Sequence, residues 1–94
     1  MKGTDLIARQ DGDLVTTRLD GELIGMSVEQ GACYGFDAVA TRVWDLIEAP
    51  CSLDVLCERL AAEFEVDAAV CRADVLAFLT EARSEGLVTV VSAG

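Results

Sequence analysis

Hydrophobic positions recur every second residue in the first half of the chain and with a helical period in the second half. Three runs in the first half have the alternation and the β-branched or aromatic residues of strands: 14–19 (LVTTRL), 22–29 (ELIGMSVE) and 32–37 (ACYGFD). Turns are predicted at QDGD (10–13), LDGE (19–22) and Glu29-Gln30-Gly31, because Asp-Gly pairs tolerate the positive φ of a tight hairpin. These patterns predict a three-stranded antiparallel meander, with a short additional strand at 6–9.

Three helices are predicted in the second half, each after a residue whose side chain can accept hydrogen bonds from the first turn. They cover residues 38–48 after Asp37, 53–64 after Ser52 and 68–84 after Asp67. Pro50 and Gly86 end the first and third helices, and LVTVV (87–91) suits a short closing strand. The predicted fold class is α+β, a three-stranded antiparallel meander followed by a three-helix, winged-helix-like bundle. It forms one domain over residues 1–94, with its core at about 14–91.

The charge and hydropathy argue against two classes of partner. Seven Lys and Arg against seventeen Asp and Glu give a net charge of −10, whereas nucleic-acid binding depends on basic residues that neutralise phosphates. No run approaches the roughly 20 apolar residues of a membrane span, and the first residues lack the apolar segment of a secretory signal. We therefore expect a cytoplasmic protein that binds neither nucleic acid nor membranes.

The residue types that carry catalysis or bind metals form no recognisable set. The chain has no histidine, which is the commonest general base. Its four cysteines form no CxxC pair of the kind found in zinc sites: Cys33, Cys51, Cys57 and Cys71. The carboxylates are scattered over helix faces that the pattern predicts to be solvated. We expect free thiols, no metal, no cofactor and no enzymatic activity.

The third predicted strand has an unprotected edge. It runs directly into the first helix, and ACYGF contains neither a charge nor a proline to prevent pairing with another strand. Gly35, with the small Ala32 and Cys33, would let another backbone approach. The edge would therefore either accept an added peptide strand or be covered by LVTVV or by a second copy of the chain. Leu76 widens the apolar face of the third helix, which would either line a groove or pack under the sheet.

With these elements in this order, the chain resembles the PqqD-like family, the RiPP recognition elements that bind leader peptides of ribosomally made natural products. DGELIGMSVEQGACYGFDAVATRVWDLIEAP (20–50) matches the family's strand, glycine turn, short strand and helix with an Ile/Val-Trp-x-Leu core. SLDVLCERLAAEFEVD (52–67) and CRADVLAFLTEARSEGLVTV (71–90) match its second and third helices and its terminal Gly-Leu. The resemblance covers about residues 14–91 and rests on order, spacing and length together.

The resemblance implies that a leader peptide lies as an extra strand along the third strand, in a groove made with the third helix. Carried onto this sequence, the strand consists of Ala32, Cys33, Tyr34, Gly35 and Phe36. Its aromatic residues would face the core, and Cys33 stands where a larger or charged residue is expected. The groove wall would be Arg72, Val75, Leu76 and Leu79. Arg72 and Arg83 would contact acidic positions of the leader.

The resemblance also implies an adaptor that presents the precursor peptide to a separate modifying enzyme. Freestanding copies of this size resemble the leader-binding proteins of lasso-peptide clusters, in which the enzyme is a leader protease. They also resemble the PqqD chaperone of pyrroloquinoline quinone biosynthesis, in which it is a radical enzyme. The alternatives are a winged-helix regulator, which the missing basic surface disfavours, and an inert module that forms a weak homodimer through the strand edge.

Overall fold

The computed structural model describes residues 1–10, 14–28 and 31–92, which form six strands and three helices. The strands are β1 (Leu6–Arg9), β2 (Leu14–Leu19), β3 (Glu22–Ser27), β4 (Ala32–Gly35), β5 (Cys51–Ser52) and β6 (Val88–Val91). The helices are α1 (Ala38–Leu46), α2 (Leu53–Phe64) and α3 (Ala68–Ser84). The predicted α+β class, a meander followed by three helices, is confirmed.

The meander is the antiparallel sheet β2-β3-β4. Its first hairpin turns at Asp20 and Gly21, with φ of 54° and 83°, and pairs Leu19 with Glu22. Two successive positive φ values are the geometry that the Asp-Gly pair predicts. The other two predicted turns fall on 11–13 and 29–30, which lie outside the described residues.

A second antiparallel sheet has the order β5-β1-β6 and was only partly predicted. The strands at 6–9 and at the end of the chain were expected, but their pairing with each other and with β5 was not. Leu6 pairs with Val91, and Arg9 pairs with Val88. Because β6 pairs with β1, the possibility that LVTVV covers the edge of β4 is wrong.

The three helices begin at the predicted capping residues. The carboxylate of Asp37 accepts a hydrogen bond from the N–H of Ala40 at 2.8 Å, and Ser52 and Asp67 cap α2 and α3 in the same way. α1 ends at Leu46, two residues earlier than predicted. Gly86 follows α3 with a φ of 77°, the left-handed conformation that commonly ends a helix.

The core lies between the helices and the inner faces of the two sheets, and its fully buried members come from all three helices and from β1. Trp44 of α1 is 6% exposed and packs edge-to-face on Phe36, with ring centroids 5.5 Å apart. The guanidinium of Arg9 lies 4.9 Å from the Trp44 ring centre and donates to the Trp44 carbonyl oxygen. Arg9 therefore connects the second sheet to α1. None of the helices in the described ranges is long and apolar enough to cross a membrane.

Candidate functional site: a groove beside an edge strand

The junction between β4 and α1 is held by one buried hydroxyl. The N–H of Phe36 donates to the carbonyl oxygen of Leu23 at 2.9 Å. In a regular antiparallel pair, the Leu23 N–H would donate back to Phe36. Here it donates to Thr41 Oγ1 at 3.0 Å, and that hydroxyl donates to the Phe36 carbonyl at 3.3 Å. The strand thus stays attached to β3 up to the residue before the helix cap.

This pairing fixes which backbone groups of β4 face the free edge. The N–H and C=O of one strand residue point to the same side, and those of its neighbours point to the other side. Since Phe36 points toward β3, Tyr34 does so too, and the polar groups of Cys33 and Gly35 point away. Within the described residues, β4 pairs with β3 alone. Two N–H and two C=O groups are therefore directed at the position of a further strand.

A groove, named here the β4–α3 groove, lies beside this edge. It consists of two adjoining cavities of about 270 and 410 Å³, which share Gly35, Phe78 and Glu81. Phe78 of α3 packs edge-to-face on Phe36, with centroids 5.5 Å apart, and provides an apolar floor. Ala77 and Ala82 on the same side of α3 line the groove without filling it.

This groove is lined by four of the five predicted strand residues: Cys33, Tyr34, Gly35 and Phe36. Phe36 is 4% exposed, and the half-buried Tyr34 packs against the core, as predicted. The Tyr34 hydroxyl donates to Oε2 of Glu85, the C-cap residue of α3, at 3.1 Å, which connects the strand to the end of the helix across the groove. Cys33 and Gly35 are exposed, and Ala32 is half-buried. Their contact with a peptide stays a prediction.

The predicted helix wall lies on other sides of α3. Val75 and Leu79 are fully buried in the core, and Leu76 packs against the core from outside. Arg72 donates to Asp54 Oδ1 of α2 at 3.0 Å. Glu81 follows Arg72 by about two and a half helical turns and therefore projects from the opposite side of α3.

Arg83, the second arginine predicted to contact the leader, also lies away from the groove. Arg83 is exposed and does not line the β4–α3 groove. It comes two residues after Glu81, which places it on a different side of the helix. Neither arginine is brought to the edge of β4, so the helix wall consists of other residues than the sequence predicted.

Sequence reasoning missed most of the residues that form the wall. Phe78 gave a signal, since it belongs to the predicted apolar face of α3. The other wall residues of α3 gave none, because an acidic or alanine position on a helix is typical of a solvated face: Asp74, Ala77, Glu81 and Glu85. The thiols of Cys57 and Cys71 lie elsewhere, and burial raises the pKa of each.

The arrangement provides the chemical groups that can bind an extended peptide. The β4–α3 groove offers main-chain donors and acceptors, an apolar floor and carboxylates. In the part of the chain that the structure describes, no group of three His, Cys, Asp or Glu residues is placed to hold a metal ion. An extended peptide beside β4 would satisfy the edge groups of Cys33 and Gly35.

The sequence profile of the PqqD family, coenzyme PQQ synthesis protein D, matches residues 22–88. The chain belongs to the PqqD family. The matched residues include β3, β4, all three helices and the whole β4–α3 groove.

Among solved structures, this PqqD-family chain is similar to TbiB1 in complex with the TbiA(β) leader peptide. The TM-score is 0.74 at 25% sequence identity, and the match covers 85% of this chain and 93% of TbiB1. No curated protein matches the chain. The similarity therefore extends over most of both chains.

Proposed function

We propose that this PqqD-family protein binds the leader segment of a ribosomally made precursor peptide by strand addition to β4. The observation that carries the proposal is the edge of β4, where the backbone groups of Cys33 and Gly35 point away from β3 beside a groove. A leader peptide added as a strand, in either the antiparallel or the parallel direction, would form main-chain hydrogen bonds with these two residues. Similarity to TbiB1, whose structure contains a leader peptide, supports the same occupant.

Side chains of the bound leader would alternate between two environments. Those facing inward would enter the β4–α3 groove and contact Phe78 and Ala77. Those facing outward would lie over the exposed face of the sheet, next to Cys33 and Met26, which are paired across the strands. Main-chain bonds would thus supply sequence-independent affinity, and the inward positions would supply specificity.

The protein would act as a non-catalytic adaptor. Holding the leader keeps the rest of the precursor near a separate modifying enzyme, which raises its effective concentration. The proposed enzyme is a leader protease of the lasso-peptide type, with a PqqD-type radical enzyme as the alternative. The four unpaired thiols agree with a reducing compartment, and we place the binding in the cytoplasm.

Two substitutions at one position test strand addition. A candidate leader is sought in short reading frames beside the gene of this protein, and the labelled peptide is titrated against the wild type, Gly35→Pro and Gly35→Ala. Proline removes the outward N–H and is tolerated on an edge strand, so affinity should fall at least about tenfold. Alanine keeps the N–H, and its Cβ would meet no atom within 4 Å. It should therefore bind within about twofold of wild type.

Circular dichroism of both variants controls for folding. Equal affinity of Gly35→Pro and wild type, with both folded, would show that no peptide pairs with β4. Sedimentation without peptide tests self-pairing through the same edge: a dimer that Gly35→Pro disrupts would favour the inert homodimer instead. Leader removal by the neighbouring protease should slow in Gly35→Pro and stay normal in Gly35→Ala.

A further inference from the structure

The helix wall of the β4–α3 groove is acidic. Asp74 and Glu81 of α3 and Glu85, its C-cap residue, all line it. The spacings of seven and four residues place them along one side of the helix. Glu81 borders both cavities and therefore lies near the middle of the groove. Asp37, the cap of α1, adds a fourth carboxylate at one end.

No cation of the described residues compensates this charge inside the groove. None of the residues lining either cavity is Lys or Arg. The ion pairs in the described part of the chain engage other carboxylates: Arg18 with Asp45, Arg42 with Glu63, and Arg72 with Asp54. The chain as a whole has a net charge of −10. The groove is therefore a negatively charged site within a negatively charged protein.

We propose that the peptide that adds to β4 is cationic, with Lys or Arg at alternate positions that face α3. This inference rests on the proposed function and specifies its ligand. It reverses the expectation from the sequence, in which Arg72 and Arg83 contact acidic positions of a leader. The reason is that the side of α3 facing β4 contains Asp74 and Glu81, whereas Arg72 and Arg83 lie on other sides.

The spacing of the two elements fits a basic pair separated by one residue. Side chains on one face of a strand recur every 6.4 to 6.8 Å, at roughly 3.2–3.4 Å per residue. Glu81 and Glu85 are four residues apart on α3, or about 6 Å along the helix. Residues i and i+2 of the guest can therefore reach both carboxylates. Their aliphatic stems would pack on Phe78 while the charged ends reach the rim of the groove.

Long-range attraction would add to this contact. A protein of net charge −10 concentrates cationic peptides near its surface and speeds their association. Because the carboxylates at the rim are solvated, added salt screens them. Affinity for the cationic peptide should consequently fall as the salt concentration rises, whereas hydrogen bonding to Cys33 and Gly35 would be much less affected.

A peptide-display selection tests the inference and does not require the sequence of the leader. A library of random 12-residue peptides is selected on the wild-type protein in the presence of a reductant. The bound peptides should be enriched in Lys or Arg at alternate positions. A selected peptide should lose at least about tenfold in affinity for Glu81→Lys. The matched control is Glu58→Lys, which reverses the same charge at an exposed position of α2 and should change affinity less than about threefold.

Each other outcome contradicts the inference in a way that also tests the proposed function. If the selected peptides require the Gly35 N–H, as shown with Gly35→Pro, but carry no excess of basic residues, strand addition holds and the cationic ligand is wrong. Equal losses of peptide affinity in Glu81→Lys and Glu58→Lys would also contradict the inference, because they would show that the peptide responds only to the total charge of the protein. Basic peptides that bind Gly35→Pro as well as wild type, or a selection that yields no binder, would contradict both.

Discussion

The hydroxyl of Thr41 accepts a hydrogen bond from the backbone N–H of Leu23 at 3.0 Å, and both residues are buried. The same hydroxyl donates to the carbonyl oxygen of Phe36. It therefore takes the place of one of the two direct bonds that a regular pair of strands would exchange. A residue of α1 thus completes the sheet at the point where β4 ends, and this fixes the position of β4 relative to the helices.

Replacing Thr41 with valine should lower the free energy of unfolding by about 1–3 kcal/mol, because the Leu23 N–H would be left buried without a partner. Thr41→Ser keeps the hydroxyl and should lose less than about half as much. Urea unfolding followed by the fluorescence of the single tryptophan, Trp44, measures both. Valine keeps the methyl group of Thr41 and serine keeps its hydroxyl, so a loss in Thr41→Ser as large as that in Thr41→Val would contradict the importance of the hydroxyl.

Substitutions of two half-buried residues of α3, Phe78 and Leu76, test which side of the helix contacts the leader. Phe78→Ala removes the apolar floor of the β4–α3 groove and should weaken leader binding at least about tenfold. Leu76→Ala removes a comparable contact with the core on another side and should leave affinity within about threefold. Fluorescence titration, at temperatures where both variants are folded, measures the difference. A greater loss of affinity in Leu76→Ala would show that the leader contacts the side of α3 that the sequence predicted.

A substitution at Glu65, the residue that follows α2, should stabilise the folded protein. Glu65 adopts a left-handed conformation, with φ of 51° and ψ of 45°, which glycine adopts at no steric cost. Glu65→Gly should therefore raise the free energy of unfolding by about 0.5–1 kcal/mol. Glu65→Gln removes the same charge but keeps the strain, so its thermal midpoint should be unchanged. A stabilised Gln variant and an unchanged Gly variant would identify charge as the cause.

The buried thiols should make stability depend on pH in alkaline solution. Burial raises the pKa of Cys57 and of Cys71 above the ordinary value of 9.0, so the folded state retains protons that the unfolded state releases. Their contribution is fully present below about pH 9 and is lost as the pH rises through the raised values. Urea unfolding between pH 8 and 10.5 should show this decline.

The double variant Cys57→Ala/Cys71→Ala provides the control, since its stability should decline less steeply over the same range. At pH 8, an alkylating reagent should modify the exposed Cys33 first and the two buried thiols only after unfolding. Rapid modification of Cys71 in the folded protein would contradict the buried assignment.

The elements that the sequence predicted well depend on local interactions. The caps at Asp37, Ser52 and Asp67 and the Asp20-Gly21 hairpin each involve residues within three positions of one another. Such signals are present in any short window of sequence. The start of every helix was therefore correct. The unprotected edge of β4 was likewise predicted from the composition of ACYGF alone.

The faces of β3 and α3 depended on distant contacts and were not predictable, whereas the inward face of the strand with Tyr34 and Phe36 was predicted. In the strand predicted at 22–29, Ile24, Met26 and Val28 share the more apolar face by sequence, yet Met26 and Val28 are exposed. Gly25 and Ser27 are buried instead. A Cβ on Gly25 would approach the Leu14 side chain to 3.2 Å, so this small residue lets Leu14 cover the inner face.

The orientation of α3 was misjudged for a similar reason. Its apolar residues cover more than half of the helix circumference, and periodicity alone does not tell which flank faces β4. The answer depends on the packing of Phe78 against Phe36, 42 positions earlier in the chain, as the edge-to-face contact between them shows. The acidic wall follows from that contact and was therefore invisible in the sequence.

The pairing of β1 with β6 has a practical consequence for linking this protein to other proteins. Leu6 and Val91 are partners in adjacent strands, so their Cα atoms are about 5 Å apart. β1 and β6 therefore lie side by side, whereas the residues before β1 continue to the start of α2, where the Gly3 carbonyl oxygen accepts a hydrogen bond from the Asp54 N–H at 2.9 Å. A host enzyme that carried this unit in a surface loop would need connectors that leave both the β1–β6 pairing and this contact intact.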